Sequence, residues 1–92
     1  MPRGGGETEK GSIGMDFVLV YMTCASEEEA HKIAEALLGE RLIACANVMA
    51  PHTALYNWQG RAEKNREVAV IMKTRASLFD RVAARARGLH SY

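Results

Sequence analysis

The chain has 92 residues, with 12 Lys plus Arg against 11 Asp plus Glu and a net charge of +1, so no global field draws it to nucleic acid or to an acidic membrane surface. Two cysteines are too few for a multi-bridge framework, and no apolar run approaches the roughly 20 residues that span a bilayer. The expectation is a cytoplasmic protein with reduced thiols, small enough to gain from metal binding or oligomerisation. One local excess stands out: Arg75, Arg81, Arg85 and Arg87 crowd the last quarter, where a solvated helix face explains them better than a phosphate site.

Residues 1–14, with three consecutive glycines and little apolar content, predict an irregular leader or tail, and a domain is expected over 15–92 with Met15 as a natural start. FVLVYM, residues 17–22, is a continuous β-branched and aromatic run that suits a strand covered on both faces. Ser26 with Glu29 three residues on reads as a capping box, and Glu27 and Glu28 fill a first helical turn. Ala30, Ile33, Ala34, Leu37 and Leu38 keep helical spacing up to Gly39, which suits a left-handed cap.

Residues 42–50 are small or apolar throughout and predict a segment buried on both sides, with Cys45 inside it as a small hydrophobe. Pro51 bends the path, after which Tyr56 and Trp58 share one face by period-two alternation, and Gly60 marks a turn. Two aromatics side by side on a bent arm suggest contact with another copy of the chain. The polar residues 61–66 continue the arm, and EVAVIMKT, residues 67–74, returns as a strand. A second helix is predicted from Ser77, with Gly88 as its cap.

The order strand, helix, strand, strand, helix gives an α+β, ferredoxin-like split βαβ unit with both helices on one sheet face and its last strand missing. Without that strand the 17–22 strand is expected to leave an open apolar edge, and the domain is expected to be incomplete at its C-terminus.

Several short motifs now stand in order: T-x-x-S at Thr23 and Ser26, LIACAN over 42–47, Y-x-W-x-G from Tyr56 to Gly60, Glu67 with Val68, Lys73 with Thr74, and His90-Ser91-Tyr92. Together they resemble the CutA family, named for divalent-cation tolerance. The resemblance implies a homotrimer with long hairpins spanning subunits, similar in architecture to PII-type signalling proteins, and a further strand and short helix after Tyr92. The family reads His-Pro-Tyr where this chain has Ser91, and has a larger aliphatic near Ala62.

Two constellations carry the candidate chemistry. Cys24 and Cys45 are the metal candidates, with His31, His52, His90 and the methionines as possible helpers and copper or another divalent cation as the ion. Cys24, just before a capped helix start, is placed where amide donors could lower a thiol pKa, although a packing role explains it as well or better. Tyr56, Trp58, Glu67, Lys73, His90 and Tyr92 are polar-tipped residues at element ends that a cleft between subunits could gather. No C-x-x-C, H-E-x-x-H or nucleophile–base pair is present, so catalysis is not expected. The functional expectation is a trimeric, copper-responsive tolerance protein. The alternative is a PII-like adaptor with a small-molecule or anion site between subunits.

Overall fold

The computed structural model describes residues 8–12 and 16–90. Its elements are β1 (Thr8–Ser12), β2 (Phe17–Cys24), α1 (Glu27–Gly39), β3 (Cys45–Val48), β4 (His52–Trp58), β5 (Arg61–Arg75), a 3₁₀ turn (Ala76–Leu78) and α2 (Phe79–Leu89). All strand pairs are antiparallel, in the order β1-β2-β5-β3, with β4 continuing the β3 edge along the first half of β5. Both helices feed one apolar cluster on one sheet face, the α+β, ferredoxin-like arrangement expected.

Part of the segment expected to be irregular is a strand. Thr8–Ser12 runs along β2 with Thr8 opposite Met22 and Ser12 opposite Val18. Ladder pairing uses only backbone groups, so a polar TEKGS sequence serves, and the edge expected to be open on β2 is covered there. Residues 1–7, 13 and 14 of the expected leader, and Met15 at the expected domain start, lie outside the described residues.

The helix face of the sheet is built from directly opposed pairs: Val18 and Thr74, Val20 and Met72, Met22 and Val70, Cys24 and Val68. Ile33 and Leu37 of α1 and Val82 and Ala86 of α2 close over them, all fully buried. Each large side chain so buried contributes roughly 1.5–3 kcal/mol. The other sheet face is thinly covered within one chain. Thr23, Glu67 and Ala69 are buried there, Leu19, Tyr21 and Ile71 are half-buried and Phe17 is exposed, so β2 is covered on both faces only toward its end.

The apolar run 42–50 also divides. Only Leu42 and Ile43 are buried; Ala46 and Val48 turn toward the helices, and Cys45 and Asn47 are exposed. Its small residues reflect tight backbone approach to β5, where Ala44 N donates to Lys73 O at 2.7 Å. The single bent strand expected there is two strands, broken around Pro51. At the hairpin tip Gln59 (φ 51°) and Gly60 (φ 77°) form a two-residue turn with both φ angles positive, the geometry that matches strand twist.

The capping box holds: Ser26 Oγ accepts from Glu29 N at 3.1 Å, and Glu29 Oε1 accepts from Ala25 N at 3.2 Å. The helix ends differ from expectation. Arg41 (φ 59°), not Gly39, takes the left-handed position, and Gly88 lies inside α2, whose cap is His90. The 3₁₀ turn intervenes before α2, whose N-cap Leu78 supplies no side-chain bond, so Ser77 does not start it. The four arginines behave as a solvated set: Arg85 makes a two-pronged pair with Glu40 at 2.9 Å, holding that carboxyl below its ordinary pKa, and Arg75 stands 5.8 Å from the Phe17 ring centre.

Thr74 Oγ1 donates to the Leu42 carbonyl at 2.6 Å in the buried layer and ties the α1–β3 connection to β5. Thr74→Val keeps the shape but orphans that carbonyl. It is expected to cost about 1–3 kcal/mol, read as a lower urea midpoint at unchanged slope, while Thr74→Ser keeps most of the stability.

Candidate metal centre

Three elements end at one point. Cys24 closes β2, Glu29 stands in the first turn of α1, and His90 caps the C-terminal end of α2. The Cys24 Sγ, a Glu29 carboxylate oxygen and a His90 ring nitrogen all lie within 4.8 Å of one another. The strand–helix turn at Ala25 and Ser26 fixes the first two relative to each other, and the His90 N–H bond to Ala86 O at 3.1 Å holds the third.

The environment is dry. Cys24 is fully buried, and the His90 and Glu29 side chains are 2% and 13% exposed. Burial, followed by the nearby negative charge of Glu29, pushes the Cys24 thiol up to about 12. Burial likewise pulls His90 below its ordinary pKa, against the opposing pull of Glu29, whose Oε1 is 3.7 Å from His90 Nδ1. This corrects the expectation for Cys24: the helix start does not give a reactive thiolate, because desolvation and a like-signed carboxylate outweigh the amide dipoles. Without an ion the group is a thiol beside a neutral imidazole and a carboxylate.

The donor set suits a borderline dication. Four-coordinate zinc takes Cys sulfur at about 2.3 Å and His nitrogen or carboxylate oxygen at about 2.0–2.2 Å, which spaces ligands about 3.4–3.8 Å apart. The three atoms, all within 4.8 Å of one another, lie at that limit wider than this spacing and near enough for one ion to be shared between them. A cleft of about 510 Å³ adjoins them, with Glu29 and His90 in its wall beside Ser26, Glu28, Lys32 and Leu89.

Of the other candidates, Cys45 is exposed on the opposite sheet face and not buried as expected, because it opens the short edge strand β3. Strand alternation puts Tyr56, Trp58, Glu67 and Lys73 on that same face, spread along the length of β5, while His90 is on the helix side; one chain does not gather them. Tyr92 lies outside the described residues. Glu67 is only 2% exposed, and among the described residues its Oε2 has no hydrogen-bond partner. Glu29 was read from the sequence only as half of a capping box; the signal that could have found it is its position five residues after Cys24, across one turn of chain.

The fold and the site define a small α+β protein with a candidate soft-to-borderline metal centre. The pattern of the CutA1 divalent ion tolerance protein family matches residues 18–92. The chain belongs to that family. It is 44% identical over 75 residues to the divalent-cation tolerance protein CutA of Pyrococcus horikoshii, spanning 82% of this chain and 72% of that one. The divalent cation tolerance protein of Thermus thermophilus superposes with a TM-score of 0.79 at 38% identity, over 85% of this chain and 75% of that one. The periplasmic divalent cation tolerance protein CutA of Archaeoglobus fulgidus gives 0.75 at 39% identity, over 84% and 72%. Among the described residues no helix is long and apolar enough to cross a membrane.

The two thiols are expected to separate chemically. Near neutral pH iodoacetamide should alkylate Cys45 and leave Cys24 intact until denaturant is added, as peptide mass mapping reads. The raised folded pKa of Cys24 also sets a sign: its contribution to stability is complete below the unfolded value of 9.0 and is lost as pH rises toward about 12. Urea midpoints should therefore fall across that window, with a shallower fall in Cys24→Ala.

Proposed function

We propose that this chain serves divalent-cation tolerance by binding a copper-class dication at Cys24, Glu29 and His90, without catalysing a reaction. The observation that carries this reading is the meeting of three unlike donors, from three elements, within 4.8 Å. One thiolate alone favours soft Cu(I); adding an imidazole nitrogen and a carboxylate oxygen shifts the preference to Cu(II) and Zn(II), with copper stronger on the general affinity order. Mg(II) and Ca(II), which want oxygen ligands, are excluded. Loading removes the Cys24 proton, and the dication then offsets both the thiolate and Glu29 in a site that otherwise resists charge. A free, exposed Cys45 suits a reducing compartment such as the cytoplasm.

Competition against a chromophoric chelator tests this. Cys24→Ser and His90→Ala should each weaken Zn(II) or Cu(II) binding by about a hundredfold or more, since even outer-shell partners cost about 10–100-fold. Cys45→Ser should leave affinity unchanged. Equal affinity in wild type and Cys24→Ser refutes the site.

We also propose that the chain works as a homotrimer, with the thinly covered sheet face and the β4–β5 arm meeting other copies. Support comes from half-buried Tyr21, Tyr56, Trp58 and Ile71 on that face, and from the buried Glu67 oxygen whose partner a neighbouring chain can supply. Light scattering should give three copies at micromolar concentration. Trp58→Ala should cost about 2–4 kcal/mol of association and make melting depend on protein concentration; a stable monomer overturns the assembly.

A further inference from the structure

The three donors are sealed from water. Cys24 has no exposed surface and the His90 side chain is 2% exposed, although a cleft of about 510 Å³ runs past them with Leu89 and His90 in its wall. No hydrated dication reaches atoms buried in this way unless one of the elements that carry them moves aside. The structure ranks the three elements by how firmly each is held.

Cys24 ends a strand whose every residue pairs with β5, and it stands opposite Val68 in the core. Glu29 lies in a turn fixed by the Ser26 Oγ and Glu29 Oε1 capping bonds and by Ala30 N donating to Ser26 O at 3.0 Å, with Ala30 and Ile33 fully buried just beyond. The end of α2 is held by less. Its buried positions stop at Ala86; Arg87 and Gly88 are exposed and Leu89 is half-buried. The His90 N–H bond to Ala86 O, at 3.1 Å, closes the turn. Gly88 sits inside that turn, and glycine weakens a helix by its freedom in the unwound state. Segments with few buried apolar side chains open at the lowest cost, so the last turn of α2 is the part of the wall that yields first.

Resting on the ion site at Cys24, Glu29 and His90, we propose that the last turn of α2, residues 87–90, is the gate of that site: it unwinds to admit a divalent cation from the cleft and rewinds to bring the His90 imidazole onto the ion. The Cys24 proton leaves to water while the turn is open, and no electron is transferred. Rewinding sets Leu89 and the imidazole between the ion and the cleft. The stiffness of the turn, set at Gly88, then fixes how fast the ion exchanges and not how tightly it is held, because entry and exit pass through the same opening.

Stopped-flow mixing of the full chain with Zn(II) reads entry, and mixing of the loaded chain with excess chromophoric chelator reads exit. A Cβ at Gly88 meets nothing within 4 Å, so Gly88→Ala keeps the helix and firms its last turn. It should slow entry and exit alike by about fivefold, the helix preference of alanine over glycine, and leave the Zn(II) affinity unchanged. Leu89→Ala removes the turn's apolar contact with the core and should speed both rates by about tenfold. Gly39→Ala is the same change at the far end of α1, where a Cβ again meets nothing within 4 Å, and should alter neither rate. In the ion-free chain the His90 amide should exchange for deuterium about tenfold or more faster than that of Ala30. Zn(II) that does not bind overturns the ion site and the gate with it. Zn(II) that binds with wild-type rates in Gly88→Ala, an equal slowing in Gly39→Ala, or a His90 amide as protected as that of Ala30 overturns the gate alone and leaves the ion site standing.

Discussion

Fifteen consecutive residues of β5 carry the backbone pairing on which the rest of the molecule depends. Residues 68–75 pair with all of β2 on one side, and on the other side β3 and β4 divide the strand between them. The apolar half, where β2 and β3 flank it, makes the core. The polar half, with β4 alone, becomes an arm. Thr74 at one end fixes the α1–β3 connection, and Val68 at the other lies opposite Cys24, so one strand sets both the core register and the position of the metal candidate. A one-residue slip of β5 against β2 would put Lys73 and Ile71 under the helices and the alternate set outside, which is why the register is so strongly specified.

At the metal centre two effects compete over Cys24. A helix N-terminus favours a thiolate; burial and a neighbouring carboxylate oppose it. Full burial at the end of a central strand decides the matter, because removing a charge from water costs several kcal/mol where a helix end returns a fraction of that. In the proposed site a dication would turn the unfavourable juxtaposition of thiolate and carboxylate into a neutral cluster. The neutral state of His90 fits, since a ring nitrogen must be unprotonated to ligate.

The fold was largely legible because its signals are local and periodic. The Ser26–Glu29 box, the stripe from Ala30 to Leu37, the turn at Gly60 and the apolar β5 half each name their element. What escaped depended on tertiary neighbours. TEKGS has no strand signature; it pairs because an edge was available. The run 42–50 looked doubly buried, but small side chains also suit close backbone approach, and sequence cannot distinguish these. Cys45 was expected inside and is exposed for the same reason: burial is set by which strand is central, which a pattern of apolar residues does not say. His90 was singled out, but with residues of the opposite face, since nothing in the sequence tells that the α2 cap reaches the end of β2.

Glu29 shows how a structural role can conceal a chemical one. Its backbone N–H bonds Ser26 Oγ, and its Oε1 accepts from Ala25 N, so every local signal is explained by capping. Yet the same Oε1 that accepts from Ala25 N lies 3.7 Å from His90 Nδ1, and a carboxylate oxygen of this residue lies within 4.8 Å of Cys24 Sγ. Capping then does for the centre what an outer ligand shell does elsewhere: it fixes the carboxylate's direction before an ion arrives, through bonds that the helix makes in any case. The residue that starts α1 and the residue proposed to meet an ion are therefore one, and the proposed site is tied to the correct formation of that helix.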